Sequence, residues 1–139
     1  MKTLIVEDNP TEQRLLHMLL SPLGPCDISI DGREAVQLWK QRAGGGDRYD
    51  LLCLDICLPC ANGQLILREI RALERTRGVL DGKGTRVVMT TTLQDSDNVL
   101  RAFHEQCDGY LVKPIDRTGL FKLLHKLQLI AAPGSVGVA

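Results

Sequence analysis

The sequence lacks an excess of charge of either sign, and it lacks any long hydrophobic run. Among its 139 residues, 17 Lys and Arg balance 17 Asp and Glu. Domains that bind nucleic acid directly carry a basic excess, so this balance argues against a direct nucleic-acid partner. A membrane-spanning helix needs about 20 consecutive apolar residues, and no stretch comes near that length. We therefore expect neither nucleic acid nor a membrane among the direct partners.

We expect no secretory leader at the start of the sequence, and this expectation bears on the cysteines. The apolar stretch 4–6 is followed at once by Glu7 and Asp8, so it is too short for a signal peptide. Five cysteines are an odd number, and without secretion they indicate reduced thiols in a cytoplasmic protein. The composition, 44% hydrophobic and 24% charged, is typical of a folded domain. We expect one domain over residues 1–130 and a flexible C-terminal tail over 131–139.

Short apolar stretches alternate with amphipathic stretches along the chain. Five times, an apolar run of strand length is followed by a segment with helical periodicity. Such alternation predicts a parallel sheet with helices on both of its faces. The strands are predicted at 4–6, 26–30, 51–54, 87–89 and 110–112, and the helices at 10–20, 34–42, 62–73, 95–106 and 120–127.

Polar residues of complementary chemistry end four of the predicted strands. Glu7 and Asp8 follow the first strand, and Asp55 ends the third. Thr91 lies at the end of the fourth strand, and Lys113 follows the fifth. In a sheet of this kind, the binding site lies at the carboxyl ends of the strands. The sequence therefore predicts that these five side chains converge on one site.

Carboxylates, a hydroxyl and an ammonium group in one place suit phosphoryl transfer. Neighbouring carboxylates repel one another unless a cation lies between them, and oxygen ligands of this kind favour Mg²⁺. The transfer itself requires positioning and charge compensation, and a carboxylate can be the nucleophile. Asp55 is the natural nucleophile, because it is the lone acid on a central strand that lies between the acidic pair and the hydroxyl and ammonium groups. Lys113 and a threonine hydroxyl would bind phosphoryl oxygens.

Four segments together resemble the receiver domain of response regulators in two-component signalling, of which chemotaxis receivers are an example. The segments are LIVEDN (4–9), DLLCLDICLP (50–59), VVMTT (87–91) and YLVKPI (110–115). They follow the order of the family and span nearly the whole chain. The resemblance implies an α/β fold, with a single doubly wound sheet of five parallel strands in the order 2-1-3-4-5. This is the flavodoxin-like receiver fold.

The resemblance also implies the roles of the acidic residues. Asp55 matches the phosphoacceptor of the family. Glu7, Asp8 and Asp55 match the residues that bind Mg²⁺, and the backbone carbonyl of Cys57 matches a further ligand. Mg²⁺ is therefore the expected cofactor.

Three further residues match the parts of the family that respond to phosphorylation. Thr91 is selected among three consecutive threonines by its spacing to Lys113, and both would contact the phosphoryl group. Tyr110 matches the switch aromatic, whose ring orientation responds to the threonine. The family pattern also implies a cis peptide bond between Lys113 and Pro114, which an X-Pro bond tolerates well.

A phosphoacceptor switch is the function that the resemblance implies. Asp55 would take a phosphoryl group from a phosphohistidine on a sensor histidine kinase or on a histidine phosphotransfer protein. Phosphorylation would change the face formed by the fourth strand, the helix predicted at 95–106 and the fifth strand, where an unidentified protein target would bind. The protein would not be an enzyme in the usual sense, since it would catalyse only its own phosphorylation and dephosphorylation.

The sequence departs from the family pattern at several positions. Thr92 stands where the family keeps a small residue, and Gln106 replaces the glycine expected before the fifth strand. Asp55 and Thr91 are also further apart than usual, because the link 78–84 is extended. These departures leave open a receiver-like scaffold that is not phosphorylated.

The cysteines suggest a second alternative. Cys57 and Cys60 have the C-x-x-C spacing of a redox pair, and together with Cys53 they match an iron–sulfur spacing. Because Cys53 lies inside an apolar strand, we reject the cluster and keep a Cys57/Cys60 redox module as the weaker alternative.

One group of basic residues is explained neither by the receiver resemblance nor by the cysteine alternative. Arg68, Arg71 and Arg75 recur at helical spacing, with Glu69 and Glu74 nearby. A solvated helix face is the expected explanation, rather than a nucleic-acid site.

Overall fold

A computed structural model describes residues 1–44, 47–58, 63–80, 83–92 and 106–131 of the chain. Its strands form one five-stranded parallel sheet in the order β2-β1-β3-β4-β5, which confirms the predicted fold class. The strands are β1 (Thr3–Val6), β2 (Cys26–Ser29), β3 (Leu51–Asp55), β4 (Arg86–Thr91) and β5 (Gly109–Val112). The α-helices among these residues are α1 (Pro10–Leu20), α2 (Gly32–Gly44), α3 (Gly63–Thr76) and the C-terminal helix (Arg117–Lys126).

Helices cover both faces of the sheet, so its central strands are buried on both sides. Ile5 and Cys53 belong to a core with Leu16 of α1 and Leu120 of the C-terminal helix. The alternate residues of β1, β3 and β4, whose side chains point to the other face of the sheet, pack against α2 and α3. Trp39 of α2 lies in this second core. Because successive side chains of a strand point to opposite faces, β1, β3 and β4 need apolar residues at nearly every position.

Residues of the second core also hydrogen-bond at the amino edge of the sheet. The indole Nε1–H of Trp39 donates to the Thr85 hydroxyl oxygen over 3.0 Å. The Thr85 hydroxyl in turn donates to the carbonyl of Tyr49 over 3.0 Å. The buried indole is thereby fixed beside the residue that precedes β4.

The strand register aligns the residues at the carboxyl edge. Val6 pairs with Leu54, so Glu7 and Asp55 follow at the same level. Asp55 pairs with Thr90 across β3 and β4, and Thr91 pairs with Val112 across β4 and β5. The functional side chains therefore leave the sheet at one level of the same edge.

The start of α1 agrees with its sequence signals. The Asn9 side chain accepts hydrogen bonds from the backbone N–H groups of Thr11 and Glu12, and Pro10 occupies the first helical position. Both features satisfy or remove N–H groups that lack a partner at a helix start. The helix runs to Leu20, as its apolar stripe predicts.

Several predicted boundaries differ from the structure. α2 extends to Gly32 and Gly44, beyond the predicted 34–42. β4 starts at Arg86, one residue before the predicted apolar run, and ends at Thr91, where its end was predicted. The two threonines at the end of β4 are buried, and their β-branched side chains suit a strand.

Two further expectations fall mainly outside the described residues. These are the helix predicted at 95–106, of which only Gln106 is described and forms a turn, and the tail 131–139, of which only residue 131 is described. The domain limit at residue 130 stays a prediction. No described helix has the length and apolarity required to cross a membrane.

Candidate functional site

Three acidic side chains meet where β1 and β3 end. Glu7, Asp8 and Asp55 each offer a carboxylate oxygen, and these oxygens lie within 4.8 Å of one another. Glu7 and Asp55 are buried, whereas Asp8 is exposed and gives access from solvent. An all-oxygen donor set with one open side fits Mg²⁺, which keeps several waters when it binds to proteins. The structure thus brings together the three acids that the sequence singled out.

Lys113 lies beside these acids and hydrogen-bonds to three carboxylates. Its Nζ atom is 3.0 Å from Asp55 Oδ2 and 2.9 Å from Glu7 Oε1. A third contact, 2.6 Å long, joins Nζ to Oε2 of Glu12 in the first turn of α1. We call Lys113, Glu7, Glu12 and Asp55 the Lys113 cluster. The sequence predicted all of its members except Glu12.

Both oxygens of the Asp55 side chain have partners. Lys113 donates to Oδ2, and the backbone N–H of Cys57 donates to Oδ1 over 3.0 Å. The first residue of α3 is required to be a glycine, because a Cβ atom at Gly63 would collide with the backbone carbonyl of Asp55. Gly63 also donates its N–H to the carbonyl of Ile56 over 2.8 Å. α3 therefore begins directly against the Asp55 backbone, and this contact was not predicted.

Thr91 and Tyr110 lie on β4 and β5, next to Lys113. Thr91 is buried and donates its hydroxyl to the carbonyl of Thr92 over 3.2 Å. The backbone N–H of Lys113 donates to the Thr91 carbonyl over 2.7 Å. Tyr110 is 49% exposed. The peptide bond between Lys113 and Pro114 is cis, as expected. The switch roles of Thr91 and Tyr110 stay predictions.

The crowding of carboxylates changes how readily Glu7 ionises. Burial, together with the nearby carboxylates of Glu12 and Asp55, raises the pKa of Glu7 to about 8, although Lys113 acts in the opposite direction. Glu7 is therefore mostly protonated at neutral pH until a cation takes the place of its proton. Burial also acts to raise the pKa of Glu12, but hydrogen bonds with Glu7 and Lys113 outweigh it and lower that pKa.

The same carboxylates also change the pKa of the Lys113 ammonium group. Burial alone would lower its pKa, but the hydrogen bonds to Glu12, Glu7 and Asp55 outweigh burial and raise it. Lys113 is thus a permanent positive charge in the site. Even while Glu7 holds its proton, the one ammonium group of Lys113 faces the carboxylates of both Glu12 and Asp55, so the cluster retains an attraction for a further cation.

A second charged cluster lies at the opposite, amino edge of the sheet. Arg71 of α3 donates to Glu74 Oε1 over 2.7 Å and to Asp108 Oδ2 over 2.9 Å. Arg86 donates to the other oxygen of Asp108 over 3.2 Å. We call Arg71, Glu74, Arg86 and Asp108 the Arg71 cluster. The expectation that Arg71 belongs to a solvated stripe was wrong, because its guanidinium turns back over the sheet edge to these acids.

The cysteines do not form an iron–sulfur site among the described residues. Cys53 is fully buried, and burial raises the pKa of its thiol to about 12, so it is not available as a thiolate ligand. Cys57 is exposed. Cys60 lies outside the described residues, so the Cys57/Cys60 pair stays a prediction.

Comparison with known sequences places the whole folded region in one family. The profile of the response regulator receiver domain matches residues 3–125. An osmosensing histidine protein kinase of Saccharomyces cerevisiae is 29% identical over 125 residues, covering 88% of this chain and 10% of the kinase. The regulatory protein VanRB of Enterococcus faecalis is 35% identical over 101 residues, covering 73% of this chain and 40% of that protein. The chain thus spans less than half the length of either relative.

Solved structures share the fold over most of this chain. The receiver domain of a sensor histidine kinase from Pseudomonas aeruginosa has a magnesium ion coordinated in its active-site cleft. It is 27% identical, with a TM-score of 0.73, and the match covers 91% of this chain and 97% of that one. A CheY-like response regulator receiver domain from Methylobacillus flagellatus is 26% identical, with a TM-score of 0.72, and the match covers 91% and 98% of the two chains.

Proposed function

Because the chain belongs to the response regulator receiver domain family, we propose that it is a phosphoacceptor switch in a two-component phosphorelay. Asp55 accepts the phosphoryl group. The observation that carries this proposal is the placement of Asp55 between two acids that can share a cation with it and the ammonium group of Lys113. A receiver domain is a signalling switch and not a turnover enzyme, so the only reactions proposed are its own phosphorylation and dephosphorylation.

The phosphoryl donor is a phosphohistidine. The relatives include histidine kinases that carry the matching segment, which supports a sensor histidine kinase or a histidine phosphotransfer protein as the cytoplasmic partner. An oxygen of the Asp55 carboxylate attacks phosphorus, and the P–N bond breaks with its electron pair passing to the imidazole nitrogen. The product is an acyl phosphate. Water attacking phosphorus later breaks the P–O bond, which returns the carboxylate and releases inorganic phosphate.

The residues around Asp55 supply binding and charge compensation. Lys113 donates to one phosphoryl oxygen, and the Thr91 hydroxyl turns from its present acceptor to donate to another. Glu7, Asp8 and Asp55 would hold Mg²⁺, with the backbone carbonyl of Cys57 as a further ligand. Bound Mg²⁺ supplies the positive charge that a phosphoryl group needs beside carboxylates. The magnesium in the Pseudomonas aeruginosa receiver supports this assignment.

The output is a change in the surface beside Lys113. Movement of Thr91 and Lys113 toward the phosphoryl group frees space for the exposed ring of Tyr110 to turn inward. The face formed by β4, the segment 95–106 and β5 then differs between the two states. A ligand that binds one state better shifts the population by that difference in affinity. The target is a protein that reads this face.

Intact-mass measurement after incubation with acetyl phosphate and Mg²⁺ tests the proposal. We expect wild type to gain one phosphoryl group, and we expect the gain to vanish in Asp55→Asn and in wild type with EDTA. Asp50→Asn is the matched control, because Asp50 precedes β3 at the amino edge and its carboxylate accepts from the Lys2 N–H. It should be phosphorylated like wild type.

Two results would contradict the proposal. A folded wild-type protein that gains no phosphoryl group, from acetyl phosphate or from a histidine kinase, would favour a receiver-like scaffold. A gain that persists in Asp55→Asn would place the modification on another residue.

A further inference from the structure

Glu12 makes the shortest contact to Lys113 and differs from the other two acids of the cluster. Its Oε2 atom is 2.6 Å from Lys113 Nζ. The Glu12 side chain is 30% exposed, whereas the side chains of Glu7 and Asp55 are 1% and 6% exposed. Glu12 is also outside the group of acids whose oxygens converge on a metal position. Its contact with Lys113 is therefore not explained by metal binding.

The usual task of a glutamate at this position is carried out by another residue. Asn9 caps α1 and Glu12 is the third helical residue, which is the spacing of a capping box. In that motif, the glutamate accepts the N–H of the capping residue. Here the Asn9 N–H donates to Glu7 Oε2 over 3.2 Å. Because Glu7 accepts this N–H, the Glu12 carboxylate is available to accept a hydrogen bond from Lys113, 101 residues later in the chain.

The contact with Glu12 occupies one N–H donor of Lys113 that a bound phosphoryl group would need. An ammonium group has three N–H donors, and Lys113 has three carboxylate partners at hydrogen-bond distance. A phosphoryl oxygen can receive a hydrogen bond from Lys113 only after one carboxylate has given it up. Glu12 is the most exposed of the three, so its carboxylate loses the least when it turns into water.

We propose that Glu12 is a positioning residue that holds Lys113 in the unphosphorylated protein and thereby slows phosphoryl transfer to Asp55. This inference rests on the proposed phosphoacceptor function. Release of Lys113 from Glu12 accompanies transfer, so the strength of this one contact sets part of the phosphorylation rate. Lys113 is the group that acts on the phosphoryl oxygens, and Glu12 acts through it.

Rates of phosphorylation in three variants test the role of Glu12. We expect Glu12→Gln to be phosphorylated by acetyl phosphate at saturating Mg²⁺ about fivefold faster than wild type, which is the size expected for weakening one partly exposed charged hydrogen bond. Glu12→Asp keeps the charge but shortens the side chain by one methylene, so it should also be faster. Glu34→Gln is the control, since Glu34 is the acidic residue in the first turn of α2. Its rate should equal that of wild type.

A spectroscopic measurement on the unphosphorylated protein separates positioning from general damage. The ¹⁵N ammonium resonance of Lys113, assigned by its loss in Lys113→Gln, should show slow proton exchange in wild type and in Glu34→Gln. Exchange should be faster in both Glu12 variants, because one carboxylate no longer holds the group.

Each other outcome overturns the inference in an identifiable way. If wild type is phosphorylated and Glu12→Gln has the same rate, Glu12 does not hold Lys113, while the proposed function stands. If Glu12→Gln is faster but Glu12→Asp matches wild type in rate and in ammonium exchange, the effect is one of charge alone. If no variant and no wild type takes a phosphoryl group, this inference falls together with the proposed function.

Discussion

The Lys113 cluster and the Arg71 cluster lie at opposite edges of the same sheet. Both consist of ion pairs between cationic side chains and carboxylates, but the two differ in their balance of charge. The Arg71 cluster sets two guanidinium groups against two carboxylates. The Lys113 cluster sets one ammonium group against three carboxylates. Partly buried charges that are fully paired have little to gain from another ion, whereas unbalanced ones keep an affinity for a cation. Charge balance therefore distinguishes a cluster that is fully paired from one that could still bind a cation.

The two clusters also differ in how their side chains hydrogen-bond to the backbone. Arg71 also donates to the carbonyls of Gln106 and Thr85, each over 2.8 Å. Asp108 accepts from the backbone N–H of Val87 over 2.7 Å, and Glu74 accepts from that of Thr85 over 2.7 Å. The cluster thus joins α3, the start of β4 and the segment before β5. In the Lys113 cluster, by contrast, the Lys113 ammonium donates to carboxylates that another cation could also bind.

Removing the central cation of the Arg71 cluster should have the largest effect on stability. In Arg71→Ala, Glu74 and Asp108 lose their shared partner while they remain mostly buried. We expect the free energy of unfolding, measured with urea, to fall by about 3 kcal/mol or more. Arg75→Ala on the exposed face of α3 should change it by less than about 0.5 kcal/mol. Equal losses in the two variants would mean that the ion pairs of Arg71 contribute nothing beyond the helix itself.

The Lys113 cluster should make stability depend on pH, because Glu7 holds a proton in the folded protein. Its pKa is about 8 when folded and near 4.5 when unfolded, so the folded state binds more protons between these values. The free energy of unfolding in EDTA should therefore fall as pH rises from about 5 to about 8, by at most about 1.4 kcal/mol per pH unit.

Glu7→Gln provides the comparison for this pH dependence. A neutral amide does not titrate, so the free energy of unfolding of the variant should depend less on pH than that of wild type. Near pH 8 the variant should be more stable than wild type. Urea unfolding at several pH values measures both slopes. Parallel slopes for the two proteins would show that the cluster carries no excess proton.

The smallest effect is expected from a glycine beside the Arg71 cluster. A Cβ atom at Gly84 would collide with the Glu74 carboxylate, which already binds Arg71 and the Thr85 N–H. Gly84→Ala should lower the free energy of unfolding by about 1 kcal/mol, since the carboxylate must move. Gly44→Ala is the control, because nothing lies within 4 Å of a Cβ atom there. A similar loss in both variants would assign the effect to the backbone instead of to Glu74.

The architecture and most of the site could be predicted because they depend on order along the chain. Apolar runs of strand length set the strands, and parallel strands place their last residues at one edge. Glu7, Asp55 and Lys113 therefore met as expected. Their chemistry already favoured Asp55 as a nucleophile beside a cation, and the family resemblance added the individual role of each residue.

Glu12 and Arg71 could not be predicted because long side chains choose among partners that only the folded chain supplies. Glu12 has the sequence signature of a helix cap, and its contact with Lys113 depends on Glu7 having taken the capping N–H. Arg71 looks like one member of a solvated stripe. Its partner Asp108 is 37 residues away, and nothing in the local pattern points to it.

The position of Trp39 determines what its light emission reports. Trp39 is the one tryptophan in the chain, and its indole is held by Thr85 at the amino edge of the sheet. Intrinsic fluorescence therefore originates next to the Arg71 cluster, at the opposite edge from Asp55. Unfolding brings the indole into water and shifts its emission to longer wavelengths, whereas we expect occupancy of the carboxyl edge to leave its surroundings unchanged. The natural fluorophore follows folding, and an optical titration at Asp55 calls for a dye attached at the carboxyl edge.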